Sequence, residues 1–220
     1  VTACTSRNVV ARIEGTDKKD EILTLTAHYD SVPEGPGAYD NMAGAAIIME
    51  LCRYFQQYRP RRTMEFVWFG AEEKGLLGSR DYIRVHESEL GAHRFNMNVD
   101  LAGPLIGGNV LGVTGEASVC DKLLEIADGA GIGASVKNQI WGSDSNSFAW
   151  KGIPAMTLNR DGFGMHTRYD TIDLLSAWSL ERSAILLGCI ADALGNTEVF
   201  PFERKMPEKF IGELDEYMCR

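Results

Sequence analysis

Apolar and polar positions along the chain change period several times, and each change predicts an element. Residues 22–27 are alternating β-formers that read as a buried strand ending at His28. Upstream, residues 8–14 alternate, and a polar turn over 15–20 predicts that 21–28 returns beside them as the antiparallel partner of a hairpin. Residues 43–58 carry Ile47, Ile48, Leu51, Cys52 and Phe55 at helical spacing. Pro60 ends that helix, and Arg59, Arg61 and Arg62 suit its carboxyl end. Residues 63–71 form a strongly apolar strand that runs straight into Glu72-Glu73. Beyond it the pattern predicts a helix over 76–89, strands over 94–101 and 109–114, a helix over 118–129 and a weak strand over 135–140. A short helix over 145–150, a strand over 154–159, a Gly-rich loop over 161–167 and a long apolar helix over 176–194 follow. A terminal amphipathic helix covers 208–218. Strands alternating with helices predict an α/β fold: a mixed, mostly parallel central sheet flanked by helices on both faces.

Composition narrows the class. A chain of 220 residues, 45% hydrophobic and 24% charged, reads as one domain over 1–220 with a sizeable core, and disorder is excluded. The formal charge of −9 argues against nucleic acid or an anionic membrane as partner. No apolar run reaches spanning length, so the expectation is a soluble protein, either cytoplasmic or secreted after removal of a leader. The start at Val1 reads as a removed leader or a fragment. Cys4, Cys52, Cys120, Cys189 and Cys219 lack zinc-ribbon spacing and are expected to be core or surface thiols. Neither the compartment nor the oligomeric state follows from these features.

Candidate chemistry sits where the strands end. The stretch LTLTAHYDSVPEGPGAYDNMAG places His28 and Asp30 after a strand, a turn-forming loop next, and Asp40 before a small-residue helix start. Ligands bind outside the carboxyl ends of strands in open α/β sheets. His28, Asp40, Glu73, Asp100 and His166 all lie at strand ends or in loops just beyond them. Two histidines and three carboxylates are too many for one tetrahedral zinc. They suit two metals about 3.5–4 Å apart with one bridging carboxylate. Two dications against three carboxylates and a bridging hydroxide bring the site to zero charge. Glu72 then stands beside the metals as general base. His86 and His93, in a polar helical stretch, read as solvated surface residues. Phe163 and Met165 flank the Gly-rich loop, either lining a substrate pocket or packing in the core.

Six segments in one order, HYD, GAYDNMAG, FGAEEKGLLGS, NVDLAG, GSDSNSF with GIPAMTL, and HTRYDTID, resemble the co-catalytic zinc aminopeptidases. This is metallopeptidase family 28, the family of bacterial leucyl aminopeptidase and fungal aminopeptidase Y, and the likeness spans about residues 8–194. It implies the zinc-exopeptidase architecture, two Zn2+ ions with Co2+ or Mn2+ as substitutes, and a peptide substrate with a free N-terminus. It implies that Asp40 bridges the metals, that its bond to Asn41 is cis, that His28 and Asp100 complete one site, and that Glu73 and His166 complete the other. The likeness implies as well that Asp30 accepts the second N–H of the His28 imidazole, that Glu72 is the base assisting a metal-bridging hydroxide, and that Ser143 hydrogen-bonds Asp100. Tyr39 and Ser145 depart from the family pattern, which often has Asp and His there, and the family usually has a further helix and strand upstream of Asn8. Alternatives within the fold are a carboxypeptidase or amino-acid conjugate hydrolase, with Arg160 and Arg168 near for a substrate carboxylate, and a glutaminyl-cyclase-like acyltransferase. A non-catalytic binding domain is the reading from a different class.

Overall fold

Alternate residues of the central strands separate an apolar core from a polar face, and this arrangement builds the fold around the site. The structure, a computed structural model, describes residues 4–219. Strands β1 (Val9–Ile13), β2 (Lys18–His28), β3 (Arg62–Phe69), β4 (His93–Val99), β5 (Asn109–Thr114), β6 (Ala134–Asn138) and β7 (Ala155–Arg160) form one seven-stranded sheet in the order β1-β3-β2-β4-β7-β5-β6. The pairs β2·β3, β2·β4, β4·β7 and β5·β6 are parallel; β1·β3 and β5·β7 are antiparallel. The fold is therefore the mixed, mostly parallel α/β sheet expected.

One face of the sheet is apolar. Leu23, Leu25 and Ala27 of β2, Met64 and Phe66 of β3, and Phe95, Met97 and Val99 of β4 join one core. Helices α1 (Ala43–Gln57), α3 (Ala117–Gly129) and α5 (Ala177–Asn196) cover it with Ile48, Phe55, Leu123, Leu187 and Ile190. On the other face α2 (Leu77–Val85), α4 (Ser145–Trp150) and α6 (Glu208–Met218) pack a smaller cluster of Val67, Phe69, Tyr82, Phe148, Phe210 and Leu214. Between that cluster and the strand ends the second face is polar, with Thr24, Thr26, Asn96, Asn98 and Thr157 buried.

Three expectations are corrected. β1 pairs with β3, not β2: Val9 lies opposite Trp68 and Ile13 opposite Met64. The crossover through α1 brings β3 in parallel beside β2, and β4 takes the other side, which leaves β1 the edge. Arg62 does not serve the carboxyl end of α1: its Nη1 donates instead to the Leu194 carbonyl at 3.1 Å, in the last turn of α5. It is fully buried at the start of β3, where Nε donates to Glu21 at 2.6 Å and Nη1 to the Thr197 carbonyl at 2.7 Å. His93 is not a surface residue. It is fully buried at the start of β4, with Nδ1 2.7 Å from Thr24 Oγ1 and its ring against Tyr82 and Phe148. His86 is half-buried and stacks on Tyr82 at 4.2 Å. Cys52, Cys120, Cys189 and Cys219 are thiols outside any disulfide. Among the described residues no helix is long and apolar enough to cross a membrane.

Candidate metal centre

The carboxyl ends of β2, β3 and β4 and the loop after β7 supply five side chains that meet in one place. His28 is the last residue of β2, on its polar face, and is 1% exposed. Its Nε2 lies 3.1 Å from Asp40 Oδ1 and 3.3 Å from Asp100 Oδ1. His166, on the loop after β7, places Nε2 3.0 Å from Asp40 Oδ2 and 3.2 Å from Glu73 Oε2. The two oxygens of Asp40 thus face different imidazoles, and each imidazole faces one further carboxylate. Two groups of three donors lie close enough to hold a cation: His28, Glu72 and Asp100, and Asp40, Glu73 and His166. Glu72 is within ligand reach of the first group rather than set apart from it.

Local backbone puts these residues there. Ala71 (φ 60°), Leu101 (φ 69°) and His166 (φ 59°) are non-glycine residues in the left-handed region, each at or beside a donor. Such conformations cost of order 1–3 kcal/mol and persist where the surroundings over-determine them. Asp40 and Asn41 are joined by a cis peptide at the entry to α1. The Asn41 amide donates to the Val99 carbonyl at 2.8 Å and accepts from the Gly44 N–H at 3.1 Å. A Cβ at Gly44 would stand 2.4 Å from Asn41 Oδ1, so the small-residue helix start is required by this contact.

Asp100 is held from below. Ser143 Oγ donates to its Oδ2 at 2.6 Å, Asn98 Nδ2 donates to Ser143 Oγ at 2.8 Å, and Thr26 Oγ1 donates to Asn98 Oδ1 at 2.8 Å. Sequence reasoning identified Ser143 but not Asn98 or Thr26, whose signal was polar residues alternating inside otherwise buried strands. Asp30 faces His28 Nδ1 and has a second set of contacts. The nearest Asp30 acceptor to His28 Nδ1 is its backbone carbonyl at 3.2 Å, with the carboxylate at 3.6 Å. The carboxylate also accepts the backbone N–H groups of Glu72 at 3.0 Å and Glu73 at 3.3 Å. It therefore orients both glutamates through their backbone.

The donor set fits divalent cations. Glu73 Oε1 and both carboxylate oxygens of Asp144 are buried without a hydrogen-bond partner among the described residues. Burial, then the charge of Asp144, raises the pKa of Glu72, and burial raises that of Asp144. Burial disfavours the His28 cation, yet Asp100 foremost, with Asp30 and Asp40, holds its pKa well above the usual value. So many buried acids around two imidazoles demand positive charge, and a divalent cation would reverse the upward shifts of the acids. Asp144 and Asp170 were missed from sequence, although both lie inside quoted segments. Phe163 and Met165 do not pack in the core: they are 67% and 43% exposed on the loop that carries His166. Arg160 is buried and donates to the carbonyls of Pro104 at 2.6 Å and Leu105 at 3.1 Å. Arg168 is exposed and stacks on Tyr169.

Comparison with known proteins finds peptidases. The profile of peptidase family M28 matches residues 8–188. Aminopeptidase YwaD of Bacillus subtilis (strain 168) is 30% identical over 175 residues, covering 79% of this chain and 35% of that protein. Carboxypeptidase Q of Rattus norvegicus is 26% identical over 200 residues, covering 88% of this chain and 42% of that protein. The solved structure of BSAP, a zinc aminopeptidase from Bacillus subtilis, superposes with a TM-score of 0.79 at 26% identity, covering 90% of this chain and 53% of that one. The chain thus spans between a third and about half of the length of these relatives.

Proposed function

This chain belongs to peptidase family M28, and on that premise we propose that it is a two-zinc exopeptidase that removes the N-terminal residue of peptides. The observation that carries the reading is the placement of Asp40, whose two carboxylate oxygens lie 3.1 Å and 3.0 Å from the Nε2 atoms of His28 and His166. In this reading His28, Asp100 and Asp40 would hold one ion, and Glu73, His166 and Asp40 would hold the second. Two zinc ions would supply a Lewis acid for the scissile carbonyl and acidify the attacking water.

The remaining work falls to the chain. Glu72 takes the proton of the attacking water and passes it to the leaving amine. Asp30 fixes the backbone of Glu72 and Glu73 through its two amide contacts. Ser143, backed by Asn98 and Thr26, restricts Asp100. Surplus carboxylate at the centre favours a substrate bearing a free α-amino group. Phe163 and Met165, exposed on the His166 loop, are positioned to contact the departing side chain. A carboxypeptidase would need a guanidinium for the substrate carboxylate. Arg160 already spends its donors on Pro104, Leu105 and Asn109, so of the two arginines the exposed Arg168 is the one left to serve that reading.

The test is hydrolysis of a panel of aminoacyl-p-nitroanilides with chelator, after zinc is restored, and in Glu72→Gln, with zinc counted in each sample. The expected result is loss with chelator, recovery with zinc, and an inactive variant that still carries two zinc ions. A folded protein loaded with two zinc ions that cleaves none of the panel would overturn the aminopeptidase reading. A Glu72→Gln variant that has lost one ion would make Glu72 a ligand rather than the base.

A further inference from the structure

The Asp170 carboxylate is 2% exposed and has no Lys, Arg or His partner among the described residues. Its Oδ1 accepts the Tyr39 N–H at 2.6 Å and its Oδ2 accepts the Asp40 N–H at 3.1 Å. A buried carboxylate is expensive unless its lone pairs are used, and amide donors aimed at it form charge-assisted bonds. Both donors belong to the short segment that presents the Asp40 side chain.

The backbone of Asp170 is tied to Thr167, the residue that follows His166. Its N–H donates to the Thr167 carbonyl at 3.1 Å, the Tyr169 N–H donates to Thr167 Oγ1 at 3.2 Å, and Thr167 Oγ1 donates to the Gly164 carbonyl at 2.7 Å. Residues 164–170 therefore form a closed turn with His166 and Asp170 at fixed separation. The Asp170 carbonyl also accepts the Ala38 N–H at 3.3 Å, and the Tyr39 hydroxyl donates to the Arg160 carbonyl at 2.6 Å. Asp40 and His166 come from loops 126 positions apart in sequence, and the short bonds of Asp170 are what hold one against the other.

We propose that Asp170 is a positioning residue that locks the Asp40 segment to the His166 loop, so that the donors of the Asp40–Glu73–His166 site are preorganised. The inference rests on the two-metal reading above. Asn at this position keeps the shape but points an NH2 group at one of the two amide donors. Supporting groups behind metal ligands are worth roughly 10–100-fold in metal affinity or activity.

The experiment titrates Co2+ into the metal-free 220-residue chain, into Asp170→Asn and into Asp173→Asn, an exposed control on the same loop. Visible absorption counts and ranks the two binding steps, and kcat and KM are taken on leucine p-nitroanilide. Amide hydrogen exchange of Tyr39 and Asp40 is measured in the metal-free parent. The expected result is one of two steps weakened by roughly 10–100-fold in Asp170→Asn, a fall in kcat with KM little moved, parent behaviour in Asp173→Asn, and core-like protection of both amides. Unchanged cobalt binding in Asp170→Asn overturns the inference and leaves the two-metal reading intact. If that variant does not fold, the exchange decides, and unprotected Tyr39 and Asp40 amides overturn it. A parent that binds fewer than two ions overturns the two-metal reading, and the inference with it.

Discussion

The two faces of strand β2 are built to opposite rules. Leu23, Leu25 and Ala27 point into a core closed by α1, α3 and α5. Thr24, Thr26 and His28, one step out of phase, enter a hydrogen-bonded file: Thr24 to His93, Thr26 to Asn98, and His28 to Asp40 and Asp100. The same alternation repeats in β4 and the residue that follows it, where Phe95, Met97 and Val99 oppose Asn96, Asn98 and Asp100. Apolar contacts are non-directional and tolerate exchange among hydrophobic residues of similar volume. Hydrogen bonds fix angles, and an unsatisfied buried partner costs more than a satisfied one contributes. The apolar face thus carries stability, and the polar face converts that stability into fixed donor positions.

Four changes test this division, in order of expected effect. Glu72→Gln on the polar side should lower kcat by about 10²–10⁴-fold, with a thermal midpoint close to that of the parent. A large loss of stability instead would show that the face carries the fold as well as the chemistry. Phe66→Ala on the apolar side should cost about 3–5 kcal/mol in denaturant unfolding, with kcat per folded molecule unchanged. Asn98→Ala should show both effects at smaller size. It leaves Thr26 and Ser143 short of partners, at about 1–3 kcal/mol, and zinc retention on dialysis should fall because Asp100 is less constrained.

The smallest effect is a pH dependence remote from the donors. Burial, against the attraction of Glu65 and with Arg12 and Arg204 also opposing charge, lowers the pKa of His93 to about 4 from its ordinary 6.5. The folded state therefore prefers neutral imidazole. Its contribution is fully present above pH 6.5 and is lost as pH falls toward 4. Unfolding free energy of the parent should decline across that window, and His93→Asn should decline less steeply. Equal slopes would assign the acid sensitivity to other groups.

Element type was legible because period reports burial: alternation marked the central strands, and the 3.6-residue stripe marked α1 and α5. Candidate donors were legible because His, Asp and Glu stood where apolar runs stopped. Pairing was less so. A short polar turn after β1 predicted a hairpin, but β2 is flanked on both sides by parallel neighbours and β1 goes to β3. His93 read as solvated because its neighbours in sequence are polar, whereas its neighbours in space are Thr24, Tyr82 and Phe148. Asp170 was invisible for the same reason: what it holds is 130 positions away.

By itself the sequence determined the α/β class, the strand ends at which chemistry gathers and the residue types able to hold cations, because these depend on local period and on side-chain chemistry. Only the tertiary structure decided which imidazole each oxygen of Asp40 faces, that the Asp30 carboxylate is spent on the amides of Glu72 and Glu73, and that Asp170 ties two loops together. Those relations are distances between distant segments, set by how the strands pair and how the two faces pack, and no local pattern along a chain encodes them.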